Sequence, residues 1–305
     1  SFQHPAKMIL PLQLWLYDNY TSAGEVVLDP MAGSGTALVG CSMGRHVICV
    51  ELEPKFVDIM KGNWEKIKQR GPMMGCEMGQ ATIIQGDARS LGSLLVDKII
   101  TSPPYAEANK GGGIAQKGYE GKYGKDESLH LRHDRPLSND PNNISNLPYG
   151  DIDAVITSPP YENQVHATRE KRATWNNPLD KDKEFIASLP VGYSENQAQI
   201  GNLKSTSYLE AMSQVYKSCF AVLKDGGLMI LVIKNFIRDR VEIRLDQDTR
   251  RLCEQAGFVF VEEHYRILTS QSFWRIIYYQ KSPDAPKIDR EYVLVLKKVI
   301  REEDR

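Results

Sequence analysis

The fold is indicated most clearly by one stretch of the sequence, Glu25-Val-Val-Leu-Asp-Pro-Met-Ala-Gly-Ser-Gly-Thr36. Its apolar run ends in Asp29, a pattern typical of a buried parallel strand that stops at the edge of a sheet. The glycines that follow allow the backbone to approach a ligand closely, and the amides at the start of a helix offer free N–H donors. The stretch therefore predicts a strand, a ligand-binding turn, and a helix over 37–43 that ends at Gly44.

Strands and helices alternate along much of the remaining chain. Apolar runs predict strands at 46–50, 81–84, 228–233, 258–262 and 292–296. Helical periodicity predicts helices at 8–20, 54–70, 207–223 and 246–256. Alternation at this spacing is typical of a doubly wound, mostly parallel α/β sheet. The middle of the chain is irregular and rich in Gly, Asn, Lys, Arg and Pro, which is typical of a functional loop or a disordered segment.

Three acidic residues, Asp29, Glu51 and Asp87, follow the first three predicted strands. Because the carboxyl ends of parallel strands meet at one edge of a sheet, we expect the three acids to face one nucleoside-shaped ligand. The turn between them is not a Walker loop, since no lysine follows its second glycine, and it lacks the third glycine of the dinucleotide fingerprint. Taken singly, each acid also fits a helix cap or a solvated strand end.

The middle of the chain contains the same phrase twice. A first copy, Asp97-Lys-Ile-Ile-Thr-Ser-Pro-Pro-Tyr105, recurs as a second copy, Asp153-Ala-Val-Ile-Thr-Ser-Pro-Pro-Tyr161. Ile144-Ser-Asn-Leu147 recurs as Ile200-Gly-Asn-Leu203 at the same offset. Two separated matches at one offset indicate a tandem duplication of a strand, its loop and a following insertion. Two coincidental proline turns are the alternative.

Composition and charge exclude several classes of protein. Of the 305 residues, 41% are hydrophobic and 25% are charged, as is ordinary for globular proteins. The formal net charge of −1 excludes nucleic-acid binding by bulk charge, although not by a local basic surface. Five cysteines without CxxC spacing predict reduced structural thiols, and we expect no metal site. No apolar run is long enough for a membrane span, so we expect a soluble, cytoplasmic protein.

Together, the motifs resemble those of a known enzyme family. Asp29-Pro-Met-Ala-Gly-Ser-Gly-Thr36 with Thr-Ser-Pro-Pro-Tyr looks like the S-adenosylmethionine-dependent amino-methyltransferases, which methylate exocyclic nitrogens in DNA. Ser-Pro-Pro-Tyr resembles the N4-cytosine branch, whereas Asp-Pro-Pro-Tyr is commoner among N6-adenine enzymes. Phe2-Gln-His-Pro-Ala-Lys-Met8 resembles the family's motif X. The resemblance covers 2–105, 153–161 and about 207–298, and it implies a seven-stranded Rossmann-like sheet of the methyltransferase type, with long insertions around the duplicated loop.

The resemblance also implies roles for individual residues. Motif X, the glycine-rich turn and the strand-end acids would bind S-adenosylmethionine, with Glu51 on the ribose and Asp87 on the adenine. The candidate cofactor-binding residues are His4, Pro5, Lys7, Asp29, Pro30, Ala32, Gly33, Ser34, Gly35, Thr36, Glu51, Asp87 and Ala88. The Ser-Pro-Pro-Tyr loop would hold the target amine. The candidate catalytic residues are Ser158, Pro159, Pro160 and Tyr161, or their duplicates Ser102, Pro103, Pro104 and Tyr105.

Either copy of the phrase can supply the catalytic loop. The run 153–157 is the more apolar, as a central parallel strand should be, whereas Lys98 interrupts the first copy. This difference favours the second copy and leaves the first as a relic or as a second loop that contacts the base or the strand. The first copy, however, lies at the short distance after Asp87 that is expected of a fourth strand.

Basic side chains follow both copies. Arginines and lysines interleaved with an aromatic residue suit phosphate contact and base stacking, although a solvated charged loop is the alternative for each cluster. The candidate nucleic-acid contacts are Arg132, Arg135, Arg169, Lys171, Arg172 and Trp175. Arg238, Arg240 and Arg244 form a further candidate group that faces phosphates.

The sequence therefore predicts a site-specific DNA methyltransferase that acts on the N4 amine of a cytosine flipped out of duplex DNA. A restriction endonuclease is a possible partner. Methylation of adenine N6 or of RNA is one alternative, and an inactive, cofactor-binding recognition subunit is another. We expect 1–105 to form the cofactor-binding half, 106–206 the duplicated loops and target recognition, and 207–305 the remainder of the same sheet.

Overall fold

The fold is built on a seven-stranded sheet with helices packed on both faces. The structure, a computed structural model, describes residues 8–96, 152–160, 199–203, 205–268, 279–280 and 282–299. The strands are β1 Val26–Asp29, β2 His46–Glu51, β3 Ala81–Gln85, β4 Ile152–Thr157, β5 Leu223–Ile233, β6 Phe236–Arg238, β7 Val241–Ile243, β8 Phe258–Ile267 and β9 Arg290–Lys298. The helices are α1 Leu10–Tyr20, α2 Val39–Ser42, α3 Pro54–Arg70, α4 Leu91–Val96, α5 Ser205–Val222 and α6 Leu245–Gln255. None of these helices combines the length and the apolar character needed to cross a membrane.

The strand order makes the sheet doubly wound. The order is β3-β2-β1-β4-β5-β9-β8, in which the neighbours from β3 to β5 are parallel and β9 is antiparallel to both β5 and β8. The predicted fold class, a doubly wound and mostly parallel seven-stranded α/β sheet, is confirmed. β6 and β7 pair only with each other and form a separate hairpin.

The central strands are apolar on both sides because both of their faces are covered. Val26 and Leu28 of β1 belong to one buried cluster, and Val27 belongs to the other, as the two-residue period of a strand requires. Helices α5 and α6 cover the first cluster, whereas α1 and α3 contribute to the second. In α1, Leu16 and Tyr17 are completely buried.

The second copy of the repeated phrase forms β4. This strand lies between β1 and β5, where Ala154 pairs with Val27 on one side and with Leu228 on the other. Ala154, Val155 and Ile156 are at most 1% exposed. Because a central parallel strand is covered on both faces, apolar side chains are favoured at these positions. The first copy lies outside the described residues.

Three elements differ from the sequence-based prediction. The helix expected over 37–43 is divided into a 3₁₀ turn at Thr36–Leu38 and the short α2. At the 3₁₀ turn the Tyr17 hydroxyl donates to the Ala37 carbonyl at 2.7 Å. The turn expected at 225–227 is part of β5, whose pairing with β4 shifts register there. The β6–β7 hairpin is not predicted, because strands of three residues are too short to show alternation.

The strand order reverses between β1 and β4. The chain proceeds outward from β1 to β2 and β3 on one side, and from β4 to β5 on the other. A reversal of this kind leaves a crevice outside the carboxyl ends of the two strands, where ligands bind in open α/β sheets.

Candidate functional site

A cleft lies at this reversal, along the carboxyl edge of the sheet. Together with its open mouth it spans about 480 Å³. Its lining residues are Pro30, Met31, Glu51, Leu52, Gly86, Asp87, Ala88, Ser158, Pro160, Gln199 and Ile200. The predicted site residues among them are Pro30, Glu51, Asp87, Ala88, Ser158 and Pro160. The cleft thus brings together strand ends that are far apart in the sequence.

The glycine-rich turn after β1 forms one wall of the site. Gly33 and Gly35 have φ values of 53° and 79°, in the left-handed region that favours glycine. The Gly33 amide donates to Glu51 Oε2 at 2.8 Å. A Cβ atom on Gly35 would lie 2.4 Å from Cγ of Met60, so Gly35 is required by packing against α3. Of the predicted residues of this turn, Pro30 lines the cleft. The others, which do not line it, are Ala32, Gly33, Ser34, Gly35 and Thr36.

Glu51 is a buried carboxylate at the end of β2, only 7% exposed. Its Oε1 accepts from the amide of Glu53 at 2.9 Å, and its Oε2 accepts from Gly33. Burial raises the pKa of Glu51; the two amides work in the opposite direction, and the charge of Glu53 adds to the rise. Since each carboxylate oxygen accepts about two hydrogen bonds, Glu51 keeps acceptor capacity for the hydroxyl groups of a ligand.

Asp29 is buried beneath the cleft at the end of β1. Burial raises the pKa of Asp29 to about 7, and the nearby charge of Glu51 contributes to the rise. The amide of Met31, which donates to Asp29 Oδ1 at 3.2 Å, offsets part of it. The Thr157 hydroxyl also lowers the pKa of Asp29. This hydroxyl is fully buried, and its distance and angles to the described residues do not meet the usual criteria for a hydrogen bond.

Asp87 follows β3 and lines the cleft, but it also has a partner within the protein. Its carboxylate accepts from the backbone amide of Arg89 at 2.9 Å and forms a bidentate ion pair with the Arg89 guanidinium. Burial acts to raise the pKa of Asp87, yet the bonds and charge of Arg89 lower it overall. A ligand that hydrogen-bonds to Asp87 must therefore share this carboxylate with Arg89.

Ser158 and the prolines follow β4 at the opposite wall of the cleft. The Ser158 hydroxyl donates to the Val232 carbonyl of β5 at 3.1 Å. The hydroxyl of Tyr208, which is 1% exposed, donates to the Pro160 carbonyl at 2.8 Å. The two bonds attach the start of the loop to β5 and to α5, so its backbone is fixed beside the cleft.

Two further lining residues, Gln199 and Ile200, are not among the predicted site residues. The buried Gln199 donates from Nε2 to Glu53 Oε1 at 2.7 Å, and Lys55 Nζ lies 2.9 Å from Glu53 Oε2. Gln199 thereby attaches the 3₁₀ turn Ile200–Asn202 to the start of α3. The only sequence signal was the repeated Ile200-Gly-Asn-Leu203, which marks the turn but gives no role to the glutamine.

Several predicted residues lie outside the described part of the chain, so their roles stay predictions. For the cofactor these are His4, Pro5 and Lys7, and for the catalytic loops they are Tyr161, Ser102, Pro103, Pro104 and Tyr105. For nucleic-acid contact they are Arg132, Arg135, Arg169, Lys171, Arg172 and Trp175.

Comparison with known proteins gives similarity of structure only. No protein-family model matches the sequence, and no curated protein matches it. An S-adenosylmethionine-dependent methyltransferase from Methanosarcina mazei is 11% identical, with 94% of this chain and 98% of that chain covered and a TM-score of 0.44. A methyltransferase from Pyrococcus furiosus is 11% identical, with 97% and 87% covered and a TM-score of 0.44. Magnesium protoporphyrin IX methyltransferase from Synechocystis, solved with bound S-adenosylmethionine, is 13% identical, with 94% and 76% covered and a TM-score of 0.42.

Proposed function

We propose that this protein is an S-adenosylmethionine-dependent DNA methyltransferase that acts on the exocyclic N4 amine of cytosine. The observation that carries the proposal is that Glu51, Asp87 and Ser158 line one cleft at the reversal of strand order. The motifs that resemble a cofactor site and an amine site are distant in sequence. Their meeting in one cleft is what direct transfer between two bound groups requires.

The residues of the cleft fit an adenosyl group. Glu51 has acceptor capacity suited to ribose hydroxyls, and Asp87 can accept from an adenine amine in competition with Arg89. Leu52 and Ile200 offer apolar contacts to a purine ring. When bound, S-adenosylmethionine supplies an electrophilic methyl group on a positively charged sulfur.

Ser158 is suited to hold the target amine. Its hydroxyl donates its one proton to the Val232 carbonyl, so the lone pairs of its oxygen are left to accept from an amine N–H. A backbone carbonyl beside Pro159 is a second acceptor of the same kind. Two such acceptors stabilise the positive charge that develops on the nitrogen as its lone pair withdraws from the ring.

The loop is stiff as well as polar. Two consecutive prolines restrict its backbone, and the buried Tyr208 holds the Pro160 carbonyl. A loop that is already ordered loses less entropy when the amine is positioned. Because a paired cytosine is inaccessible inside a duplex, the base must be flipped out to reach Ser158. Serine rather than aspartate at this position favours cytosine over adenine, as in the N4-cytosine branch that the motif resembles.

The test is methyl transfer from labelled S-adenosylmethionine to duplex DNA, followed by nucleoside digestion. We expect N4-methylcytosine; N6-methyladenine as the only product would refute the choice of base, and no labelled nucleoside would refute the proposal. Ser158→Ala is expected to lower kcat about 100-fold, since it removes one stabilising acceptor. Ser102→Ala in the first copy is the matched control and is expected to retain activity; the reverse ranking would show that the first copy is catalytic.

A further inference from the structure

Two backbone amides from different turns hold the carboxylate of Glu51. The Gly33 amide donates to its Oε2 at 2.8 Å, and the Glu53 amide donates to its Oε1 at 2.9 Å. The positions of both turns therefore determine where the remaining lone pairs of Glu51 point. The glycine-rich turn is anchored by α3, because the Asn63 side chain donates to the Ser34 carbonyl at 2.8 Å. The turn between β2 and α3, which carries the Glu53 amide, needs an anchor of its own.

Glu53 occupies the N-cap of α3, but its side chain does not cap the helix. Its carbonyl accepts from the Phe56 amide at 3.0 Å, whereas its carboxylate makes no capping hydrogen bond. Side chains at this position ordinarily accept from the amides of the first helical turn. Glu53 is only 2% exposed, and burying a carboxylate is costly unless it has partners. The partners of this carboxylate therefore hold the turn in place.

Gln199 is a buried partner of this carboxylate from a distant part of the sequence. Its Nε2 donates to Glu53 Oε1 at 2.7 Å across a separation of 146 residues. Gln199 is 6% exposed and lines the cleft. The Lys55 Nζ lies 2.9 Å from Glu53 Oε2, but the Lys55 side chain is 43% exposed, so solvent weakens this ion pair. Gln199 is thus the partner with a geometry fixed by burial, and Lys55 is a solvated one.

We infer that Gln199 is a positioning residue for S-adenosylmethionine, which acts through Glu53 to keep the Glu51 carboxylate directed at the ribose. The inference rests on the proposed function, because it places the adenosyl group against Glu51. Two hydrogen bonds carry the effect: Gln199 fixes the Glu53 side chain, and the Glu53 amide holds Glu51 Oε1. Without the first bond, the buried carboxylate shifts towards water or takes up a proton. The amide of the same residue then no longer holds Glu51 in place.

The experiment measures the Kd of S-adenosylmethionine for the full chain by calorimetric titration. Gln199→Met keeps the length of the side chain but removes the N–H donor, and we expect it to weaken binding about fivefold. Gln199→Asn keeps an amide that is one methylene too short to reach Glu53, so it should weaken binding in the same way. The asparagine variant also gives the answer if the methionine variant does not fold.

The matched control removes a buried hydrogen bond far from the cleft. Lys298 is buried, and its Nζ donates to the Leu223 carbonyl at 2.7 Å, at the amino end of β5. Lys298→Met should therefore lower stability against urea, as Gln199→Met does. We expect it to bind S-adenosylmethionine with the Kd of the wild type, because the cleft lies at the carboxyl edge of the sheet.

A second background distinguishes positioning from a general loss of stability. Glu51→Ala removes the carboxylate through which Gln199 acts. Adding Gln199→Met to Glu51→Ala should therefore change the Kd by less than about 1.5-fold. A purely structural role of Gln199 predicts the same factor in both backgrounds, since independent effects multiply.

The outcomes separate this inference from the function on which it rests. If Glu51→Ala weakens binding but the Gln199 variants keep the wild-type Kd, the inference is overturned and the cofactor site stands. The same factor in both backgrounds also overturns it. An unchanged Kd for Glu51→Ala excludes Glu51 from the site and overturns the inference with it. Wild-type protein that does not bind S-adenosylmethionine overturns both the inference and the proposed function.

Discussion

Replacing Ala154 with lysine tests why β4, which the second copy of the repeated phrase forms, carries an apolar side chain at this position. The two copies differ here, because lysine occupies position 98 where the second copy has Ala154. Ala154 is 1% exposed in a strand covered on both faces, and it belongs to the buried cluster beneath α1 and α3. A lysine at this position would have to bury its amine in apolar surroundings, where the charged form is strongly disfavoured.

The expected cost of Ala154→Lys follows from the free energy of deprotonating the amine. Lysine has a pKa of about 10.4 in the unfolded chain, and each unit is worth about 1.36 kcal/mol, so neutralising it at pH 7 costs about 4–5 kcal/mol. The longer side chain adds about 1–3 kcal/mol of overpacking. Ala154→Met is the matched control, since methionine has a similar length without the charge and isolates the overpacking.

The assay is urea unfolding of both variants at pH 7 and pH 10. The unfolded chain binds the lysine proton more tightly than the native state, so the stability of Ala154→Lys relative to Ala154→Met rises with pH. We expect a gap of about 4–5 kcal/mol at pH 7 that falls below about 1 kcal/mol at pH 10. An Ala154→Lys protein that is unfolded at pH 7 but folds at pH 10 gives the same answer. Equal stability of the two variants at pH 7 would refute the view that a lysine is incompatible with this position of the central strand.

Three further predictions concern the cleft. Burial raises the native-state pKa of Asp29 to about 7, so the stability of the wild type relative to Asp29→Asn should fall by up to about 4 kcal/mol as pH rises from 4 to 7. Urea unfolding of both proteins measures this difference, and parallel pH curves would contradict it. Glu51→Gln should weaken S-adenosylmethionine binding about tenfold in calorimetric titration, since a charged acceptor is lost, and an unchanged Kd would exclude Glu51 from the binding site. Gln199→Ala removes one hydrogen-bond partner of the buried Glu53 and should lower the free energy of unfolding by about 1–3 kcal/mol. The control Gln255→Ala, at an exposed position, should change it very little. If the two variants lose equal stability, the hydrogen bond from Gln199 to Glu53 does not stabilise the protein.

Much of the fold was predictable because its signals are local. The strand that ends in Asp29 and the glycine turn after it have short-range patterns, and the alternation of strands and helices determined the doubly wound sheet. The predicted ends of helices and strands were less accurate where contacts between distant residues determine them. The hydrogen bond from Tyr17 to the Ala37 carbonyl lies where the expected helix is divided, and no pattern in the sequence predicts this contact. The pairing of β5 with β4 likewise extends a strand through glycines that resemble a turn.

The site was predictable to the extent that its residues lie in motifs. Glu51, Asp87 and Ser158 were predicted because each follows an apolar run, and the sheet brings such positions to one edge. Gln199 was missed because its role depends on a contact with Glu53 across a long separation in sequence. The ion pair between Asp87 and Arg89 was missed for a different reason: charged neighbours two residues apart are common, and only the turn after β3 brings these two together.

The peptide between Pro160 and Gln199 is tethered to the body of the protein at both of its ends. Tyr208 holds the Pro160 carbonyl, and Glu53 holds the Gln199 amide. Each doubling of the length of a flexible loop costs only about 0.6 kcal/mol, so the two tethers tolerate inserts of varied size and composition. If the proposed function holds, exchanging this peptide is expected to leave the cleft unchanged, because Tyr208 and Glu53 fix its two ends from outside it.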